Sequence, residues 1–209
     1  MREAGVSVLA VGFFDGVHLG HQAILRGANA ALTFRNHPLS VLAPDRAPAL
    51  VMGLDERLAA IRACGVADVV ALDFTPELAN MEPSDFLRLV AERIPFSSVR
   101  CGANWRFGRG GAGGADWLRA HGVSVDVAPF AMHSGERISS SRIRECLGRG
   151  EIGEANAMMG RILKVAGRTF RGKGLGRSLG FPTVNVLSET VGASMSPVVR
   201  TGLKPLTSG

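Results

Sequence analysis

The sequence predicts a parallel α/β fold, and three observations carry that expectation. The apolar run Val6-Ser-Val-Leu-Ala-Val-Gly12 has the character of a strand buried on both faces that ends in a glycine turn. Four further short apolar, β-branched stretches follow, with helix-length segments between them. Glycine and proline mark most of the changes of period.

Taken in order, Leu19 to about Ala28 predicts a helix, Ala31–Phe34 a second strand, Leu54–Cys64 an amphipathic helix closed by Gly65, and Ala67–Phe74 a third strand. Pro83–Arg93 opens with proline in its first turn, where a missing N–H is harmless. Ser97–Cys101 is a fourth strand, Ala115–His121 a short helix before Gly122, and Val123–Pro129 a fifth strand. Strands that alternate with helices pair in parallel, because each crossover returns the chain to the same end of the sheet. The first crossover, His18 to Ala30, barely reaches the dozen or so residues such a connection needs. Residues 139–159 predict two helices separated by Gly148-Arg149-Gly150. Beyond them the signal changes to Ile162–Phe170 and a glycine-rich basic stretch, so a domain boundary is expected at 160, dividing 1–160 from 161–209. The stretch from about Ser188 shows neither period and is assigned no structure.

Composition narrows the functional classes. With 46% hydrophobic and 20% charged residues in 209, collagen and disorder are excluded, and no apolar run approaches the roughly 20 residues that span a bilayer. Cys64, Cys101 and Cys146 are odd in number, widely spaced and preceded by no signal peptide, which points to a reducing, cytoplasmic compartment. Residues 1–99 carry 8 basic and 11 acidic side chains, a balance of −3, whereas residues 100–209 carry 16 and 7, a balance of +9. The basic half suits an anionic partner or simple solubility, and with few aromatics and no recognition motif a nucleic-acid binder is not expected.

The segment Gly12-Phe-Phe-Asp-Gly-Val-His-Leu-Gly-His21 follows the first predicted strand and runs into a helix, the place where open α/β sheets bind ligands. Gly16 and Gly20 are expected to let backbone approach the ligand, and the helix N-terminus supplies unpaired N–H groups. His18 and His21, three apart, are expected on one helical face as imidazole donors to phosphate. Without a nearby cysteine or carboxylate cluster they make a poor metal pair. Ser139-Ser140-Ser141 caps a later helix with Arg144 one turn on, a second anion-binding terminus.

These residues carry a resemblance. The strand, loop and helix with His-x-Gly-His resembles the nucleotidyltransferase signature, and the full segment is similar to that of the prokaryotic bifunctional FAD synthetases, riboflavin kinase joined to FMN adenylyltransferase. Thr33-Phe-Arg-Asn-His-Pro38, Gly102-Ala-Asn-Trp-Arg-Phe-Gly108 and Ile138-Ser-Ser-Ser-Arg-Ile-Arg144 resemble that family's other motifs, in order and spacing. Ser141 stands where the family usually has threonine, and Trp105 where it usually has phenylalanine. The resemblance implies a Rossmann-like nucleotidyltransferase domain that transfers AMP from ATP to FMN, with Mg²⁺, and releases pyrophosphate. It places Gly12, Phe13, Asp15, Gly16, His18, Gly20, His21, Ser140, Ser141 and Arg144 on ATP, with His18, His21 and Arg144 catalytic. Asn104, Trp105 and Phe107 are expected at the flavin, on a mobile loop with Gly108 and Gly110.

Further on, the stretch from Gly172 to Asn185 resembles a riboflavin kinase motif, with Gly180, Thr183 and Asn185 at its core and Thr183 and Asn185 implied as Mg²⁺ and phosphate ligands. About 25 residues follow Asn185, and Glu189 is the sole acid after Glu154. An incomplete riboflavin-kinase-type β-barrel is therefore expected, with riboflavin phosphorylation lost. Two alternatives stay open: an inactive flavin- or nucleotide-binding remnant, and a related nucleotidyltransferase with another acceptor.

Overall fold

The computed structural model describes residues 7–164, 168–170 and 185–187. Its centre is a sheet of five parallel strands, β1 (Val8–Val11), β2 (Ala30–Phe34), β3 (Asp68–Leu72), β4 (Ser98–Gly102) and β5 (Ser124–Ala128), in the order β3-β2-β1-β4-β5. The predicted strands all form, their ends moved by no more than two residues. The chain builds outward from β1 through β2 to β3, then crosses to the other side of β1 for β4 and β5. The direction of winding reverses between β1 and β4, and there the loops diverge to leave a crevice at the strands' carboxyl ends.

The helices are α1 (Leu19–Leu25), α2 (Leu39–Leu42), α3 (Leu54–Ala63), α4 (Pro76–Ala79), α5 (Pro83–Arg93), α6 (Ala115–Ala120), α7 (Ser140–Gly148) and α8 (Ile152–Met159). Helix α1 ends earlier than its pattern suggested, because Arg26 is already extended and Gly27 turns the chain at φ 77°. The short first crossover therefore closes without distortion of β1 or β2, whose register pairs Leu9 with Ala30.

Alternation along β1 sends neighbouring side chains to opposite faces of the sheet. Leu9 and Val11 join Phe86, Val90 and Ile94 at the face covered by α5, with Leu118 of α6. Ala10 faces the other way, with Leu25 of α1 and Ile61 of α3. Helix α5 shows why its sequence folds as it does: Pro83 sits in the first turn, and the four-residue spacing of Phe86, Val90 and Ile94 makes one apolar stripe. Helices α7 and α8 pack with Val51 and Ile138 as a third cluster beside the sheet.

A two-residue hairpin precedes α7, with β6 (Met132–His133) antiparallel to β7 (Glu136–Arg137). Its turn puts Ser134 and Gly135 at φ 52° and 78°, the double left-handed conformation that suits the twist of a tight hairpin. Past the boundary expected at 160, Leu163 N–H donates to Asn156 Oδ1 at 2.7 Å, so the chain folds back on α8 before leaving it. Beyond that, β8 (Arg168–Phe170) pairs antiparallel with β9 (Asn185–Leu187). Gly180, Thr183, the stretch from Ser188 and the expected barrel lie outside the described residues; of the kinase motif only the backbone of Asn185 is described, in β9.

Phe86 is 5% exposed and its ring lies 5.4 Å from that of Phe107. Replacing it with alanine should cost about 3–5 kcal/mol in urea unfolding, from lost burial and a residual cavity. An unchanged midpoint would show that α5 is not an integral part of the core.

Candidate active site

The loop from Gly12 to His18 is shaped by an unusual backbone. Phe14 and Val17 hold φ values of 58° and 37°, a region that costs side-chain-bearing residues energy, and Gly16 lies at 79°. Both Phe14 and Val17 are 1% exposed, so apolar burial helps to hold the strained turn. Gly12 is required by its neighbour: a Cβ there would stand 2.8 Å from the Phe14 ring. Gly16 does not face the crevice as expected; its missing side chain makes room for Val51, whose Cγ1 would lie 3.1 Å from an added Cβ. Gly20 does line the crevice, and its bareness makes room for the His18 ring.

Asp15 ties this loop to two other parts of the molecule. Its carboxylate is 2% exposed, accepts from the Val51 N–H at 2.9 Å and the Met52 N–H at 3.3 Å, and pairs with Arg144 Nη2 at 2.9 Å. Its carbonyl accepts from the Ser140 hydroxyl at 2.9 Å. Asp15 and the Ser140 hydroxyl, both expected on ATP, are thus committed to contacts within the protein. Ser139 is the N-cap of α7, accepting from Arg142 N–H at 3.2 Å, while Ser141 is exposed. Arg144 keeps a buried Nε without a partner among the described residues, and lines the crevice with Ser139, Ser140 and Ser141.

His18 is not on the helical face with His21 but caps the helix, its Nδ1 accepting from the His21 N–H at 3.3 Å. The two rings still meet, stacked at 3.6 Å and 16°. An Nδ1 that accepts from an amide carries no proton, which leaves Nε2–H of His18 as the donor. Burial, then the charge of Arg137, pushes the His18 pKa down to about 4. Burial, then His18, Arg161 and Arg57, holds His21 well below its ordinary value. His37 is lowered too, by burial and Arg144, against a smaller opposing effect of Asp15. The crevice therefore presents neutral imidazoles among arginines, with His21 Nδ1 buried and unpartnered among the described residues.

The crevice encloses about 690 Å³ and is bounded by Gly12, His18, His21, Asn104, Arg137 and Arg144 among others. Against it lies an apolar pocket of about 340 Å³, lined by Leu32, Phe34, Phe74, Phe86 and Phe107. Gly12, Phe13 and Trp105 border both spaces, so the two are adjoining compartments. Phe107 is packed rather than free on its loop as expected: it is 7% exposed, stacked at 4.7 Å on Trp105 and seated where a Gly113 Cβ would lie 2.6 Å away. Gly108, at φ 73°, packs against Pro83, and Arg109 pairs with Glu82 at 2.8 Å. Asn104 is exposed on the crevice side.

Sequence reasoning missed Arg57, which is fully buried in α3 with its guanidinium 4.1 Å over the Phe13 ring, donating to Phe34 O at 2.6 Å. The available signal was its place four residues before Ile61, on the apolar face of α3. Arg137 and Arg161 were missed as well, and nothing local in the sequence marks them.

The site is thus a polar crevice with two stacked imidazoles at the point where the sheet's winding reverses. The FAD synthetase family model matches residues 1–142. The chain belongs to the FAD synthetase family. It is therefore a nucleotidyltransferase of the FMN adenylyltransferase type. The riboflavin kinase family model matches residues 159–199. The bifunctional riboflavin kinase/FMN adenylyltransferase of Escherichia coli (strain K12) is 31% identical over 219 residues, covering 95% of this chain and 70% of that protein. Its namesake from Bacillus subtilis (strain 168) is 30% identical over 200 residues, covering 88% and 63%. A solved structure described as a macrolide-efflux protein from Streptococcus pneumoniae superposes with a TM-score of 0.79 at 27% identity, covering 91% of this chain and 67% of that one. Efflux is that protein's description; in this chain no helix among the described residues is long and apolar enough to cross a membrane.

Two expectations follow from the site's electrostatics. A histidine whose folded pKa lies below its unfolded 6.5 binds protons better when unfolded, so its stability contribution is complete above about pH 6.5 and is lost as pH falls through about 4. Between pH 7 and 5 the loss from His18 should be about 2 kcal/mol, and His18→Gln should reduce the slope; an identical slope in the variant would refute the assignment. Asp15→Ala leaves Arg144 and two amides buried without their acceptor, and should destabilise by about 3–5 kcal/mol in urea.

Proposed function

We propose that this chain makes FAD at the crevice: an FMN phosphate oxygen attacks the α-phosphorus of ATP in line, the bond from that phosphorus to the bridging oxygen of the β-phosphate breaks, and pyrophosphate leaves with the electron pair. The observation that supports this best is the continuity of the two compartments through Gly12, Phe13 and Trp105. A polar space rich in donors suits a triphosphate, and the apolar space beside it suits a flat ring system joined to a phosphate.

The roles follow from the chemistry of each wall. His18 and His21, neutral and fixed, donate hydrogen bonds to phosphate oxygens and strengthen as charge grows on them. Arg144, with its free Nε, and the amide end of α7 at Ser140 and Ser141 face the departing pyrophosphate. Trp105 and Phe107 form the wall against which the flavin lies, and Asn104 offers a polar contact at the rim. Gly12 and Phe13 line the passage between the two substrates. No covalent enzyme intermediate is needed, because positioning and charge stabilisation suffice for such a transfer.

Mg²⁺ fits here only as part of the nucleotide. Among the described residues no cluster of three histidine, cysteine or carboxylate side chains exists to hold a metal, and the Asp15 carboxylate is already matched by Arg144 and two amides. A Mg²⁺ that arrives on phosphate oxygens with its own waters neutralises charge on the triphosphate, and none of the roles above depends on it. The motif with Thr183, and the side chain of Asn185, lie outside the described residues, so riboflavin phosphorylation is not part of this proposal.

Purified protein given ATP, FMN and Mg²⁺ should release FAD and pyrophosphate in equal amounts. His21→Ala should lower kcat on the order of 10²-fold with an unchanged circular dichroism spectrum, the effect of deleting one preorganised donor. A folded variant that turns over like the parent would remove His21 from the mechanism.

A further inference from the structure

Arg161 sits just past the C-terminus of α8, yet its side chain reaches back to the phosphate loop. Nη1 donates to the Val17 carbonyl at 2.8 Å and Nη2 to the adjacent Gly16 carbonyl. Nη1 also approaches Met159 O, at 3.4 Å. Gln22 completes the brace: its Nε2 donates to Val17 O at 3.0 Å and to Met159 O at 2.9 Å. The braced peptides are those of the left-handed turn, Gly16 at φ 79° and the strained Val17 at 37°, and the next residue is His18. Leu163, bonded to Asn156, fixes the chain on the far side of the arginine.

We propose that Arg161 is a positioning residue for adenylyl transfer, locking the two carbonyls of the left-handed turn that precedes His18 so that the stacked imidazole pair is held where phosphate charge develops. The inference rests on the function proposed above and adds a device to it. The planar guanidinium offers each of two consecutive carbonyls its own nitrogen at a fixed spacing, which a lysine ammonium on its flexible stem does not reproduce. Neither Gly16 nor Val17 can relax independently while the fork is in place, and Val17 passes its orientation directly to the capping imidazole. The positive charge of Arg161 also adds, after burial, to what favours the neutral forms of both rings. Arg161 falls within residues 159–199 matched by the riboflavin kinase family model, so the part of the chain that matches one activity supplies a strut to the site of the other.

The test uses the full chain. Arg161→Ala should lower kcat for FAD formation at least tenfold, while KM for ATP and FMN moves less than about threefold, since misplacement of reacting groups by an ångström costs turnover rather than pocket contacts. Low millimolar guanidinium should restore part of the lost rate, whereas Arg161→Lys should remain impaired. A second readout is independent of activity: the imidazole NMR signals of His18 and His21 should shift in Arg161→Ala and titrate at higher pH than in the parent. Parent-like kcat, a loss that guanidinium does not relieve, or unchanged histidine spectra would each overturn the proposal. If the alanine variant does not fold, Arg161→Lys is measured alone, and parent-like turnover or spectra in it would overturn the proposal equally. If the parent makes no FAD, the reaction assignment fails, and the histidine spectra still decide whether Arg161 positions the loop.

Discussion

The carboxylate of Asp15 is the constraint on which the site depends. It is buried, and a buried carboxylate must find its full set of partners within the protein. It finds them in the amides of Val51 and Met52, just ahead of α3, and in Arg144 of α7. Three separate pieces of chain are therefore brought to one oxygen pair, and the loop between β1 and α1 can hold two left-handed non-glycine residues because its middle is fixed from outside. The Ser140 hydroxyl on the Asp15 carbonyl repeats the same link through the backbone. Such an arrangement adds less net stability than its hydrogen bonds suggest, because desolvation opposes it, but it admits only one loop geometry.

The same pairing explains how an anionic ligand can approach a loop that contains an acid. Asp15 and Arg144 neutralise one another, so among the described residues the uncompensated charge that lines the crevice is that of Arg46, Arg106 and Arg137, with neutral imidazoles beside them. Protonated rings stacked at 3.6 Å would repel one another, and burial already disfavours charging them. Neutral donors held in place are preorganised for a ligand whose charge shifts during reaction, which is the use the proposed adenylyl transfer makes of them. Beside them, Phe13 is fixed between the Arg57 guanidinium and the His37 edge at 4.7 Å, which keeps the passage between the two compartments open in one shape.

Much of this was legible in the residues. The apolar run ending at Gly12 placed the first strand and its loop, the alternation of short strands with helices implied the parallel sheet, and the two histidines and the serine run named three walls of the crevice. What was misjudged has a common cause. Phe107, flanked by glycines, suggested a mobile loop, but its ring is enclosed by Trp105, Phe86 and Gly113; Phe86 comes from α5, and the other two meet the ring only through the turn of the loop. Gly16 and Gly20 looked alike in a glycine-containing motif, and only the approach of Val51 to one and of the His18 ring to the other tells them apart.

The sequence by itself determined the periodicities, and with them the parallel sheet and the strand end that carries the glycine-containing loop, because apolar spacing and glycine punctuation act over a few residues; the order of the strands came only with the tertiary structure. It also marked His18, His21 and Arg144, whose chemistry is carried by residue type and spacing. The tertiary structure alone decided that Asp15 faces inward to Arg144, that His18 is a cap rather than a helical residue, that Arg57 is buried under Phe13, and that Arg161 reaches the loop between β1 and α1. Each of these depends on partners more than 20 residues away or on the exact turn of the backbone. A charged side chain carries no local sign of whether it meets water or a distant carbonyl; packing of the whole chain settles that, since a buried charge is tolerated only where its partners converge.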